Sequence, residues 1–124
     1  MTKKILITGA AGYIGSSLAT ELVRLNYDVV AVDILKYDQN SLSHLHYFKN
    51  FKFIKADITK SSVVKKIVKG CHYIIPLAAM VGAPLCEKFK KETKKINVGS
   101  IKLLLKYIKK IKKLFIRQPI LDME

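Results

Sequence analysis

Cysteine is scarce in this 124-residue sequence. Cys71 and Cys86 form no Cys-x2-Cys pair and have no histidine at zinc-site spacing, so they read as reduced core thiols and not as metal ligands. Acidic residues are few as well: nine Asp and Glu face 23 Lys and Arg, for a net charge of +14. A surface this basic gathers phosphates through counterion release. Arginine, however, is almost missing. Only Arg24 and Arg117 carry the flat, two-pronged guanidinium that suits base and phosphate recognition, so specific nucleic-acid binding is not expected. Long apolar runs are lacking too. The uncharged stretch from Gly70 to Cys86 contains His72, Pro76, Gly82 and Pro84 and falls short of a membrane span. At the N-terminus Lys3 and Lys4 precede only Ile5 to Ile7 before Thr8 and Gly9 break the run, which is too short for a signal-peptide core. These absences point to a cytoplasmic protein with no membrane segment.

What is present is a globular composition, 50% hydrophobic and 26% charged, long enough for one core and too short for a second domain beside it. "KKILIT", Lys3 to Thr8, is an apolar run that ends in a glycine-rich turn, as a buried parallel strand does. The period then changes: Ile14, Leu18, Leu22 and Leu25 recur at helical spacing, and Asn26, Tyr27 and Asp28 make a turn. Val29 to Val32 form a second strand closed by Asp33, and Phe51, Phe53 and Ile54 a third that ends at Asp57. Between them, residues 36–50 read as a loop with a short helix around Ser41 to Phe48. Thr59 is placed to cap a helix with Val64, Ile67 and Val68 on one face, and Gly70 to stop it. Tyr73 to Leu77 is a fourth strand. A long helix from about Leu85 to Lys113 carries Ile101, Leu104, Leu105, Ile108 and Ile111 on one side. Lys102, Lys106, Lys109, Lys110 and Lys113 fall largely on the other, as a solvated face. Strand and helix alternate throughout, which predicts an α/β domain with a parallel sheet and right-handed crossovers.

The chemistry concentrates in "ITGAAGYIGSS". Gly9, Gly12 and Gly15 are spaced three apart between a strand and a helix. Gly9 lets the chain turn sharply, Gly12 lets the backbone approach a pyrophosphate, and Gly15 lets the helix pack closely. Free N–H groups at the helix start attract phosphate oxygens. Asp33, about twenty residues on at the end of the second strand, is placed for the adenosine ribose hydroxyls. Dinucleotide binding follows from this order of elements. A 2′-phosphate about 4 Å from the Asp33 carboxylate would meet repulsion on the order of 1–4 kcal/mol, which favours NAD over NADP, with the nearby Lys36 softening the difference.

These motifs resemble the extended short-chain dehydrogenase/reductase family, the NAD-dependent sugar-nucleotide epimerases and dehydratases, over residues 3 to about 116. "TGAAGYIGS" is similar to the family's TGxxGxxG loop and "VVAVD" to its second strand with the ribose carboxylate. "ADIT", Ala56 to Thr59, resembles the segment after the third strand, and "PLAA", Pro76 to Ala79, the fourth-strand motif, where the family often has His in place of Pro76. "TKKINVGSIKLL", Thr93 to Leu104, resembles its TxxxNxxGTxxLL helix. The resemblance implies a Rossmann-like, doubly wound sheet in the order 3-2-1-4-5 with NAD across the carboxyl ends of the strands. It implies cofactor contacts from Gly9, Gly12, Tyr13, Ile14, Gly15 and Asp33, then Asp57 at the adenine amino group and Ile58 on the ring. Leu77, Ala78 and Ala79 would pass beside the cofactor, with Asn97 near the nicotinamide half. Residues 1–116 would form this NAD(P)-binding unit and residues 117–124 a divergent tail.

The family's catalytic Tyr-x3-Lys pair has no counterpart here. None of Tyr13, Tyr27, Tyr37, Tyr47, Tyr73 and Tyr107 has a Lys four residues on; Tyr107 comes closest, with Lys110 three on. In "LFIRQPILDME", Leu114 to Ile116 suit a fifth strand, and Arg117 to Glu124 stand where a catalytic hydroxyl would begin, with Pro119 unfit for a central strand. No catalytic residue is assigned and no substrate domain is expected. Three readings stay open at this point. The chain is the truncated cofactor portion of an enzyme that takes a sugar nucleotide only in a full-length parent, or a non-catalytic dinucleotide-sensing or interaction module, or a polyanion binder acting through its Lys-rich helix. An exposed sheet edge and the apolar face of the long helix would favour self-association.

Overall fold

The computed structural model describes residues 3–35, 40–78, 90–108 and 113–114. Five strands, β1 (Lys4–Thr8), β2 (Asp28–Asp33), β3 (Phe51–Lys55), β4 (Tyr73–Pro76) and β5 (Lys113–Leu114), pair in parallel in the order β3-β2-β1-β4-β5, as expected. The apolar runs Ile5–Ile7 and Val29–Val32 are buried because β1 and β2 lie at the centre of the sheet with both faces covered. Strand β3, at one edge, buries Phe51 and exposes Lys52 and Lys55.

Alternation along the strands divides the core in two. Ile5, Ile7, Val29, Ala31 and Phe51 face one side, where helix α1 (Tyr13–Arg24) adds Ala19 and Val23 and the β2–β3 connection adds Leu42 and Leu45. Leu6, Val30, Val32 and Ile74 face the other, against Val64 and Ile67 of α2 (Ser61–Ile67) and against Leu104. Helix α4 (Ser100–Tyr107) follows α3 (Lys90–Lys94) through a π-helical turn, Lys95–Gly99. Among the described helices none is long and apolar enough to cross a membrane. Cys71 is buried, its thiol donates to the Ile67 carbonyl at 3.4 Å, and burial pushes its pKa up despite the charge of Lys4; Cys86 lies outside the described residues.

Several local expectations need correction. Only a 3-10 turn, Ser43–Leu45, stands where a short helix was expected between Ser41 and Phe48. Thr59 does not cap α2. Lys60 holds that position, and the Thr59 hydroxyl instead donates to Asp57 Oδ1 at 2.6 Å. The long helix is not uniform and has ended by Ile108, and Lys113 lies in β5. Its π turn closes on Ser100. The Ser100 N–H reaches back five residues to the Lys95 carbonyl, which frees the Ile96 carbonyl to accept from the buried Ser100 hydroxyl. The apolar face that follows centres on Leu104, with Ile101, Leu103, Tyr107 and Ile108 around it, and it leaves Leu105 exposed. Residues 79–89, 109–112 and 115–124, including Ile111 and the expected tail, lie outside the described residues.

Two of the loop glycines are required by space. Gly9 has φ +70°, and a Cβ there would stand 2.5 Å from the Ala78 nitrogen. At Gly15 a Cβ would meet the Gly9 carbonyl oxygen at 2.5 Å. Gly12, in contrast, has extended backbone (φ −71°, ψ 176°), and an added Cβ finds only the Gly9 oxygen, at 3.4 Å. Urea unfolding should therefore show Gly9→Ala losing about 2 kcal/mol or more, while Gly12→Ala stays within about 0.5 kcal/mol of the parent chain. Equal losses in the two variants would contradict this division of roles.

Candidate functional site

The carboxyl ends of β1, β2 and β4 come level with one another: Thr8 is in register with Val32 on one side and with Pro76 on the other. Gly9 turns the chain there, the Gly12 N–H donates to the Gly9 carbonyl at 3.2 Å, and Gly12 becomes the residue that opens α1. The first i→i−4 bond of the helix runs from the Ser16 N–H to the Gly12 carbonyl at 2.9 Å. The N–H groups of Tyr13, Ile14 and Gly15 precede it, at the positive end of a 12-residue helix. Tyr13 is 90% exposed and Ile14 45%, so solvent reaches this end of the helix. Gly15 is buried and lets α1 lie directly on the Gly9–Ala10 backbone.

Asp33 closes β2 beside this loop. Its Oδ2 accepts from the Ala11 N–H at 2.9 Å and its Oδ1 from the Leu35 N–H at 2.8 Å. Leu35 itself has φ +56°, a left-handed conformation unusual for its side chain. Two of the roughly four lone-pair directions of the carboxylate are thus used by the protein, which leaves acceptor capacity for ligand hydroxyls. The Ala11 carbonyl in turn accepts from the Ser41 hydroxyl at 2.7 Å. Neither Leu35 nor Ser41 is marked by any local pattern in the sequence.

Asp57 follows β3, and its Oδ1 accepts from both the N–H (2.9 Å) and the hydroxyl (2.6 Å) of Thr59. Burial raises its pKa, but the two Thr59 bonds and the charges of Lys60 and Lys95 outweigh that and hold the carboxyl below its ordinary value. Ile58 is 7% exposed and packs in the core with Val32 and Val64. Leu77 and Ala78 line the end of β4, where the Leu77 N–H donates to the Thr8 carbonyl at 2.9 Å and the Ala78 N–H approaches the Thr8 hydroxyl at 3.5 Å. Asn97, half-buried, lies in the π turn next to Lys95. Ala79 and Lys36 lie outside the described residues. The structure thus gathers Gly9, Gly12, Tyr13, Ile14, Gly15, Asp33, Leu77 and Ala78 around the end of β1. This arrangement suits a dinucleotide: helix N–H groups and an open face over Gly12 for a pyrophosphate, and an ionisable carboxylate at the end of β2 for ribose hydroxyls.

Comparison with known proteins points the same way. A family model described as the NAD dependent epimerase/dehydratase family matches residues 5–117. A probable dTDP-glucose 4,6-dehydratase of Sinorhizobium fredii is 39% identical over 80 residues, which cover 61% of this chain and 23% of that protein. The bifunctional polymyxin resistance protein ArnA of Wigglesworthia glossinidia brevipalpis is 33% identical over 113 residues, covering 90% of this chain and 17% of the relative. The chain therefore spans about a quarter or less of the length of these two relatives. Among solved structures, a UDP-glucuronic acid 4-epimerase variant of Bacillus cereus, in complex with a UDP-sugar and NAD, superposes with a TM-score of 0.78 at 30% identity, over 89% of this chain and 37% of that one. The family match runs from β1 through the glycine loop, Asp33, Asp57 and the turn that bears Asn97 to the end of β5, and on that ground the chain belongs to the NAD dependent epimerase/dehydratase family.

Proposed function

We propose that these residues bind NAD at the carboxyl edge of the sheet, as the cofactor half of an enzyme that acts on a sugar nucleotide. They supply cofactor binding without the acid–base pair of the reaction. The observation that carries this is the open row of Tyr13 and Ile14 N–H groups beside a carboxylate, Asp33, that is itself bonded to the glycine loop through Ala11. When bound, NAD supplies a nicotinamide that takes up and returns a hydride. Around it, Gly12 lets the pyrophosphate approach the backbone and the helix N–H groups hold its oxygens. Asp33 accepts hydrogen bonds from the ribose hydroxyls, and its negative charge opposes a 2′-phosphate. Asp57, kept ionised by Thr59, accepts from the adenine amino group, and the backbone at Leu77 and Ala78 walls the cofactor on the β4 side. Asn97 serves the nicotinamide half.

Titration calorimetry tests this directly. Saturable NAD binding is expected, with NADP at least about tenfold weaker, and Gly12→Val is expected to abolish binding while keeping the unfolding transition. No detectable binding at millimolar NAD would overturn the proposal, and equal affinity for the two cofactors would remove the role given to Asp33.

Asp57 makes a further prediction. Its pKa is lower folded than unfolded, so the stability its charge contributes is fully present above the unfolded value and is lost as the pH falls through the folded one. The stability gap between the parent chain and Asp57→Asn should be constant from neutral pH down to about pH 5 and close at more acid pH. Thr59→Val, which removes one of the two bonds, should raise the Asp57 titration midpoint in a carboxyl NMR titration; an unchanged midpoint would contradict the assignment.

A second reading, polyanion binding, has one observation in its favour. Lys91, Lys94, Lys95 and Lys102 surround a shallow groove of about 320 Å³ with Val98 and Gly99. Replacing these four Lys by Gln should reduce the salt dependence of oligonucleotide binding, whereas the same change at Lys52, Lys55, Lys66 and Lys69 should not. Equal effects from the two sets would reduce the reading to net charge.

A further inference from the structure

We infer that Ser41, which has no direct part in holding the cofactor, is the positioning residue of the phosphate-binding loop. The inference rests on the NAD reading for its functional consequence and on geometry for everything else.

Ser41 opens the segment "SLSHL", residues 41–45, which docks firmly on α1 and the loop. Leu42 and Leu45 are buried in one cluster with Ala10, Ala11, Ala19 and Val23. The same segment is pinned by a hydrogen bond between His44 Nε2 and the Thr20 hydroxyl at 2.8 Å. The Thr20 hydroxyl also lies 2.7 Å from the Ser16 carbonyl, which ties the His44 contact to the first turns of α1. Ser41 is therefore held in place, and it is not a freely rotating surface hydroxyl.

Its Oγ donates to the Ala11 carbonyl at 2.7 Å. In a trans peptide the Ala11 C=O and the Gly12 N–H lie in one plane and point in opposite directions. The N–H of that unit donates to the Gly9 carbonyl at 3.2 Å. The peptide unit just before Gly12 is thus fixed from both ends, and the unit before that is fixed by the Ala11 N–H on Asp33 Oδ2. Without Ser41 the Ala11 carbonyl loses the hydroxyl that holds it on this side of the unit. A rotation of that unit would carry the Ala11 carbonyl toward the Gly9 carbonyl oxygen and the Gly12 N–H off it, and would shift the residue that opens α1 together with the Tyr13 and Ile14 N–H groups that follow. The Ser41 hydroxyl prevents this and so favours an anionic diphosphate without touching it.

The test uses the full chain with Ser41→Thr, which keeps a hydroxyl, and Ser41→Val, which has the same shape without one. In the unliganded protein the Gly12 amide resonance should shift in Ser41→Val and return toward the parent position in Ser41→Thr. NAD affinity should fall about fivefold in Ser41→Val and recover in Ser41→Thr. Adenosine, which carries the ribose and base but no phosphate, should change by less than about twofold, a contrast that general loosening of the fold would not produce. A Gly12 resonance that ignores the hydroxyl overturns the inference whether or not NAD binds, and so does equal NAD affinity in folded Ser41→Val and Ser41→Thr. Absence of NAD binding in the parent chain would instead overturn the functional proposal, leaving the Gly12 resonance to decide the loop geometry.

Discussion

At the end of β1 the chain passes beneath Leu77 and Ala78 at a separation that only a residue without a Cβ allows, and it does so at φ +70°. This close contact between Gly9 and the end of β4 governs the rest of the carboxyl edge. It brings the β4 backbone within reach of the Thr8 carbonyl and hydroxyl, sends the chain back toward β2 so that Ala10 and Ala11 meet Val32 and Asp33, and aims α1 with its first N–H groups outward. Gly15 continues the same economy of space by letting the helix rest on the turn it has just left. The three glycines therefore solve different problems, and of the three Gly12 has the most open space around it.

The sequence carried the parts of this site that depend on local rules. Glycines three apart between a strand and a helix, and a carboxylate closing the next strand, are readable because conformational freedom and strand length are local properties. The order of the sheet was legible only through resemblance, since periodicity does not say which strands pair. What stayed hidden depends on contacts between residues far apart or on competition for one atom. Ser41 meets Ala11 thirty positions away. Thr59 looked like a helix cap, but α2 opens one residue later, at Lys60, and the Thr59 hydroxyl donates to the Asp57 carboxylate. Leu105 looked buried because four neighbouring apolar residues share its helical stripe, yet the face is centred on Leu104 by its packing against Val64 and Ile67. The π turn closes on a single buried serine that no periodicity marks.

The excess of lysine also has a local meaning that the net charge conceals. Lys60 and Lys95 come from different elements, yet both act on Asp57, and together with Thr59 they offset its partial burial and lower its pKa. A basic composition can thus serve an acidic group: the positive field lowers the cost of holding an anion near a crowded strand end, while most of the other described lysines project into solvent.

The contact between Gly9 and Ala78 has a consequence for how the molecule assembles. The Thr8–Ala78 contact spans 70 positions and the Lys4–His72 contact spans 68, so β1 receives its second neighbour only after β2, β3 and α2 have been laid down. Closing such a long loop is entropically slow, and parallel pairing offers no shortcut through a hairpin. During synthesis the glycine turn therefore meets its β4 neighbours only after the segments from β2 to α2 have been made, and until then the half-sheet β3-β2-β1 waits with the β4 side of its central strand uncovered.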